Sequence, residues 1–188
     1  MRGTISNPRS SMLAGLLSLG LLIVSACSEE AWTPPTGPAP TPAPAQREWK
    51  DLGEYTVTMT ASPSCWLPEY AMTRSYDARI GEIGPDLRAT FADQRFIAWA
   101  GPAGFSGTKD GETVRFYING DYFVDGYSFV YLVKPGEELA YTGTATGTMQ
   151  DARIVARLDG TVLLRSYDDL TVLAQCEASD HRMELVRK

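Results

Sequence analysis

An all-β domain is what this sequence predicts, on three observations. From Trp49 onward apolar and polar residues alternate, turns bearing glycine or proline interrupt the alternation at short intervals, and no segment sustains the i, i+3, i+4, i+7 spacing of a long amphipathic helix. Tyr55-Thr-Val-Thr-Met-Thr-Ala61 shows the pattern best. Tyr55, Val57, Met59 and Ala61 share one face and three threonines the other, as expected of a strand with one buried and one wet side.

The same reading predicts strands at Thr73–Ile83, Leu87–Ala92, Phe105–Thr108, Thr113–Ile118, Tyr127–Val133, Leu139–Thr148, Ala152–Leu158, Thr161–Ser166 and His181–Val186. Lys109-Asp110-Gly111, Pro135-Gly136 and Asp159-Gly160 supply the positive-φ glycine or pre-bent proline that tight reversals need. Leu67-Pro-Glu-Tyr-Ala71 fits one short helical turn, because proline is tolerated in a first turn. About eight to ten short strands in consecutive hairpins manage their exposed edges best by closing, so the expected architecture is a closed or nearly closed antiparallel up-and-down barrel.

The cysteines agree with closure. Cys65 follows Met59 by six residues, and Cys176 precedes Met183 by seven. If the first and last strands pair antiparallel, both cysteines reach the same end of the pair and bridge the barrel seam. Such a bridge closes a loop of about 110 residues, worth about 4 to 5 kcal/mol in the chain-entropy model, and persists in an oxidising compartment.

Ahead of the domain the composition differs. Arg2 and Arg9 precede the apolar run Met12–Val24 and the small residues Ser25 and Ala26, the layout of a signal peptide over residues 1–26. That run is shorter than the roughly 20 residues a spanning helix needs. Val24-Ser25-Ala26-Cys27 resembles the lipobox of bacterial lipoproteins. The resemblance implies a diacylated Cys27 as mature N-terminus, and two chains give stable anchoring where one gives only marginal binding. Ser28 in place of aspartate implies, by the same resemblance, the outer membrane of a two-membrane bacterium. The other reading is ordinary secretion with Cys27 an unpaired thiol.

Residues 27–48 are then the lipidated N-terminus and tether. Thr33–Ala45 carries half of the protein's 12 prolines and no aliphatic side chain larger than alanine. It reads as a polyproline II spacer of roughly 40 Å, at about 3.1 Å per residue. Residues 49–188 form the barrel domain. Its pattern, with one helical turn and a Cys pair, resembles the lipocalin or calycin architecture, though Trp49 precedes Gly53 where that family carries Gly-x-Trp.

Charge excludes one class of partner. With 17 basic and 23 acidic residues the formal net charge is −6, and removal of Arg2 and Arg9 with the leader makes it −8. No basic run reverses that sign locally, so nucleic acid is not an expected partner.

Catalytic signals are sparse and no catalytic residue is assigned. His181 lies beside Asp180 and Arg182, but strand neighbours point to opposite faces, so it is expected at a surface or strand end in a hydrogen-bond cluster. The carboxylates at Asp110, Glu112, Asp121, Asp125, Asp151, Asp159, Asp168 and Asp169 fit turn chemistry. Asn119–Gly126 lacks the acidic spacing of a calcium loop, and no metal or cofactor is expected.

The aromatic residues are more suggestive. Phe116, Tyr117, Tyr122, Phe123, Tyr127, Phe129 and Tyr131 fall within sixteen residues. Phe116 and Phe129 suit the core while the tyrosines cover strand faces. Trp66 is expected beside the disulfide, and Trp99, in Ala98-Trp-Ala-Gly-Pro102, in an exposed contact. Tyrosine pairs an apolar ring with a polar tip, which makes Trp99, Tyr117, Tyr122, Tyr127 and Tyr131 the candidate ligand-binding set.

These readings describe a non-enzymatic envelope lipoprotein whose barrel binds a small apolar or amphipathic ligand. The alternative is a structural or assembly module contacting another envelope protein, and a third reading is a hydrolase acting on envelope carbohydrate or lipid. An internal ligand requires an unfilled barrel; a partner-binding module requires a filled one with an apolar surface patch.

Overall fold

The computed structural model of the chain describes residues 48–123 and 125–188; Cys27, the leader and the tether up to residue 47 lie outside them. Nine strands follow in order: β1 Lys50–Thr60, β2 Thr73–Ile83, β3 Asp86–Phe91, β4 Gly104–Asp110, β5 Thr113–Ile118, β6 Val130–Lys134, β7 Glu137–Gln150, β8 Arg153–Ser166 and β9 Val172–Arg187. The helix α1, Glu69–Met72, is a single turn after Pro68, as the sequence predicts.

All pairings between strands are antiparallel, and eight of the strands close a barrel in the order β1-β2-β3-β4-β5-β7-β8-β9 and back to β1. Closure at the seam sets Met59 opposite Met183. β6 does not interrupt the ring. It continues along the same edge of β7 that β5 uses, β5 pairing with Gly143–Thr148 and β6 with Glu137–Ala140.

Alternation decides the core. Val57, Met59, Tyr76, Ile80, Leu87, Phe105, Phe116, Phe129, Leu139, Tyr141, Ile154, Leu158, Met183 and Leu185 are all buried in one cluster. Tyr76, Phe91, Phe96, Phe129 and Tyr131 form a net of ring contacts with centroids 4.3 to 6.0 Å apart, so side chains fill this part of the interior. The hydroxyls of Tyr76 and Tyr141 are buried there without a hydrogen-bond partner, and burial pushes both phenols well up.

Three expectations need correction. Asp159-Gly160 is not a reversal: β8 runs through it as one strand of 14 residues, with a bulge against β9 between Leu158 and Gly160. The glycine answers a different constraint, since a Cβ on Gly160 would stand 2.0 Å from the Thr142 carbonyl oxygen of β7. The last strand begins at Val172 and not at His181, and β6 begins at Val130 and not at Tyr127.

Candidate functional site

The barrel has two unlike ends. At the end where the chain enters, at Glu48, strands are joined by tight turns through Gly84, Gly111 and Asp151, all with positive φ. At the other end lie the connections Ala61–Met72, 92–103 and 119–129 and the β6–β7 and β8–β9 turns. Of the exposed large apolar side chains, Trp66, Tyr70, Trp99, Phe123, Tyr167, Leu170, Val172 and Leu173 belong to this far end, against Trp49, Val155 and Val186 near the entry.

The segment Ala61–Met72 closes the far opening. Ala71 of α1 is fully buried and Cys65, Leu67 and Met72 pack on the core. The Cys65–Cys176 disulfide pins this segment to β9 where β9 has parted from β1, with 5.5 Å between the two Cα atoms. Trp66 does not pack beside the bridge as expected; it is 95% exposed, because its neighbour Cys65 takes the inward position.

His181 is the second tie, and it is buried, not at the surface. Its parity with Met183 and Leu185 turns it inward while Asp180 faces solvent. Nδ1 accepts the Ser62 N–H at 2.9 Å, so Nε2 carries the proton and donates to the Gly160 carbonyl at 3.2 Å. The ring thereby satisfies backbone groups at the bulge of β8 and just past the end of β1, and both nitrogens are engaged.

The two long connections fold over the outer face of β6, β7 and β8. Ile97 donates its N–H to the Val130 carbonyl at 2.9 Å, and with Tyr122, Val130 and Ala140 it forms a second small core outside the barrel. Asn119 Oδ1 accepts the Asp121 N–H at 3.1 Å and Asp121 Oδ1 accepts the Phe123 N–H at 2.9 Å, two successive side-chain turns that set the Tyr122-Phe123 corner. The connections meet where a Cβ on Gly101 would lie 1.9 Å from the Gly126 carbonyl oxygen.

Three aromatic rings come together on this support. Trp99 lies 6.2 Å from Tyr122 and 5.9 Å from Phe123, and Tyr122 and Phe123 are 4.4 Å apart. Tyr122 is buried; Trp99 and Phe123 are 67% and 59% exposed, so the rings form a shelf wet on its outer side. Tyr167, Asp168 and Leu170 of the β8–β9 turn supply the facing wall of a depression of about 290 Å³. Leu170 holds φ at +60°, a conformation side chains rarely adopt, and its N–H donates to the Ser166 carbonyl at 3.1 Å.

Behind the shelf the buried Glu138 is paired with the half-buried Arg165. The Arg165 guanidinium lies 5.3 Å from the centroid of the Tyr122 ring and hydrogen-bonds Glu138 Oε1, while Oε2 has no partner. Burial pushes the Glu138 carboxyl up against the pull of Arg165, and it likewise pushes up the Tyr122 phenol. A charge pair placed here costs desolvation that its attraction only partly returns, so it fixes geometry more than it adds stability.

The candidate set thus divides. Trp99 and Tyr122 share the shelf, whereas Tyr117 stands on the outer wall of β5, Tyr127 is half-buried next to Gly126, and Tyr131 is buried in the barrel with its hydroxyl 3.3 Å from Asp93 Oδ2. Tyr122 and Tyr131 therefore depart from the expectation that the tyrosines cover strand faces. Asp159 sits within β8 and not at a turn. Phe123, Tyr167, Asp168 and Leu170 join the site through tertiary structure; the Tyr167–Leu170 turn follows a strand whose length the sequence did not reveal.

Elsewhere, a depression of about 380 Å³ outside β1–β3 is walled by Glu54, Asp77, Arg79 and Lys188, and Lys188 is bound to Asp77 at 2.8 Å. Among the described residues no cluster of three metal-ligating side chains occurs, and no helix is long and apolar enough to cross a membrane. Compared with known proteins, the chain matches no family model, no curated protein and no solved structure.

Proposed function

We propose that this chain is a lipoprotein of a bacterial envelope, anchored through Cys27 in the outer membrane, that binds a small amphipathic ligand on the exterior aromatic shelf. The observation that carries the reading is the division of the barrel into a plain end, where the tether joins, and a far end that collects the exposed aromatic residues. Exposed apolar surface gathered in one place marks a contact site, and the packed rings inside the barrel favour the outside over the lumen. The disulfide agrees with an oxidising compartment outside the cytosol.

The test is native mass spectrometry of the full mature chain extracted from membranes of an expressing bacterium. A retained small molecule that Trp99→Ala and Phe123→Ala both release is the expected result. Equal retention by the variants overturns the shelf as the site. Cys27→Ser moves the protein from the membrane fraction to the soluble one if the anchor is the lipid.

A second reading, contact with another envelope protein, is favoured by Trp66, Val172 and Leu173, whose exposure extends the apolar surface beyond what a small ligand would cover. Under it, the isolated chain retains no small molecule for the same substitutions to release, but Trp66→Ala abolishes a crosslink to a partner in intact cells.

A further inference from the structure

We propose that the shelf is a cage for an organic cation, a quaternary ammonium group, held between the rings of Trp99, Phe123 and Tyr167 and the carboxylate of Asp168. The proposal rests on the shelf reading and names the ligand class.

Its first support is the composition of the lining. Trp99, Tyr122, Phe123 and Tyr167 contribute four aromatic side chains, Leu170 an apolar wall, and Asp168, among the described residues, the one charged side chain. Aromatic faces carry the negative part of the ring quadrupole and attract a cation placed over them within about 6 Å. A weakly hydrated alkylammonium loses little on leaving water and gains from rings and carboxylate together. An anion meets Asp168, with Asp169 and Asp121 adjacent in sequence to the lining; a purely apolar ligand gains nothing from Asp168.

The second support is that no cation among the described residues fills this role. Arg165 lies against Tyr122, but it is bonded to Glu138 and does not line the depression. Among the described residues the lining contains no lysine or arginine. Size agrees as well, since about 290 Å³ sits at the lower limit of small-molecule sites, near 300 Å³, and suits a headgroup better than a whole lipid. The rings are held in advance by the side-chain turns at Asn119 and Asp121 and by the meeting of Gly101 with Gly126, so little ordering is left for the ligand to drive.

The experiment titrates the full chain, in maltoside micelles that carry no ammonium group, with choline and with its uncharged isostere in which carbon replaces nitrogen. Tryptophan fluorescence and the indole N–H resonances report binding. Choline is expected to shift the Trp99 indole and to bind about tenfold more tightly than the isostere, the factor that 1.4 kcal/mol of cation–π attraction gives. Phe123→Ala, which keeps the Trp99 indole as reporter, removes the response with the unfolding midpoint unchanged, and Asp168→Asn weakens choline but not the isostere.

Equal binding of choline and isostere, both lost in Phe123→Ala, overturns the cation while leaving the shelf as a site. No Trp99-dependent response to choline also overturns it, and the retained-ligand measurement then judges the shelf separately. Short-chain phosphatidylcholine binding more tightly than choline identifies a lipid headgroup as the source; equal affinity identifies a free cation. Both support the cage.

Discussion

The entry end and the far end of this barrel are stabilised by different means. Near the entry, strands turn sharply and the surface is laced with pairs such as Lys50–Glu82 at 2.9 Å and Lys188–Asp77 at 2.8 Å, exposed contacts of the kind that contribute at most about 1 kcal/mol each. At the far end β9 has left β1 and long connections cover β6–β8. Beyond the ladders of β6–β9, the structure there relies on individual ties: Cys65–Cys176, the two hydrogen bonds of His181, and Arg165–Glu138. A ladder distributes stability over many equivalent bonds, while isolated ties concentrate it.

Concentrated stability should fail in large steps. Replacing Cys65 and Cys176 together by alanine opens a cross-link spanning 111 residues and is expected to cost about 4 kcal/mol in urea-induced unfolding. A loss under 1 kcal/mol would mean that the far end holds itself without the bridge. Arg165→Met leaves the Glu138 carboxylate buried without its partner, and a loss of about 3 kcal/mol is expected, with the shelf loosened ahead of the barrel. Hydrogen exchange resolves the order, because amides of 119–129 should open before those of β1.

His181→Phe tests the third tie, stranding the Ser62 N–H and the Gly160 carbonyl at a cost of about 1 to 3 kcal/mol. Fast exchange of the Ser62 amide in that variant is the specific signature. At the entry end, Gly111→Ala places a side chain at φ +59° and should cost only about 1 kcal/mol.

Acid distinguishes the ties by sign. The Arg95 guanidinium holds Asp93 below the usual carboxylate range, and the Tyr70 hydroxyl with Lys134 does the same for Glu137. Such groups contribute stability that is present above their unfolded-state values and is lost as pH falls through the lowered ones. Glu138 runs the other way. Its raised carboxyl takes up a proton more readily when folded, so the fold gains as pH falls from neutral toward the ordinary glutamate value of 4.5. In Glu138→Gln that gain vanishes, and unfolding midpoints measured from neutral pH downward should decline sooner than in the parent. The smallest effect belongs to the shelf, where Trp99→Ala should change stability by no more than about 0.5 kcal/mol.

Alternation made the barrel legible, because inward positions such as Val57, Met59, Met183 and Leu185 follow a period of two and the cysteine spacing ties the first strand to the last. What misled was Asp159-Gly160. An Asp-Gly pair signals a hairpin when read along one strand, whereas here the glycine admits the backbone of β7, a neighbour that local sequence does not name. His181 looked polar beside Asp180 and Arg182, yet counting two and four residues on to Met183 and Leu185 already placed it inward. Trp99 and Tyr122 were singled out as candidates, but their meeting depends on connections crossing between strands, for which no periodicity exists.

The seam carries a consequence in time. β1 is the first strand of the domain to be made and β9 the last, with Tyr55 paired to Arg187. Until the final residues arrive, one edge of β1 has no partner, and Cys65 waits for Cys176. Contacts so distant along the chain are slow to form, so the barrel cannot close before β9 has been made. The order of strands thereby reserves closure of the barrel, and the pairing of Cys65 with Cys176, for the last step of its making.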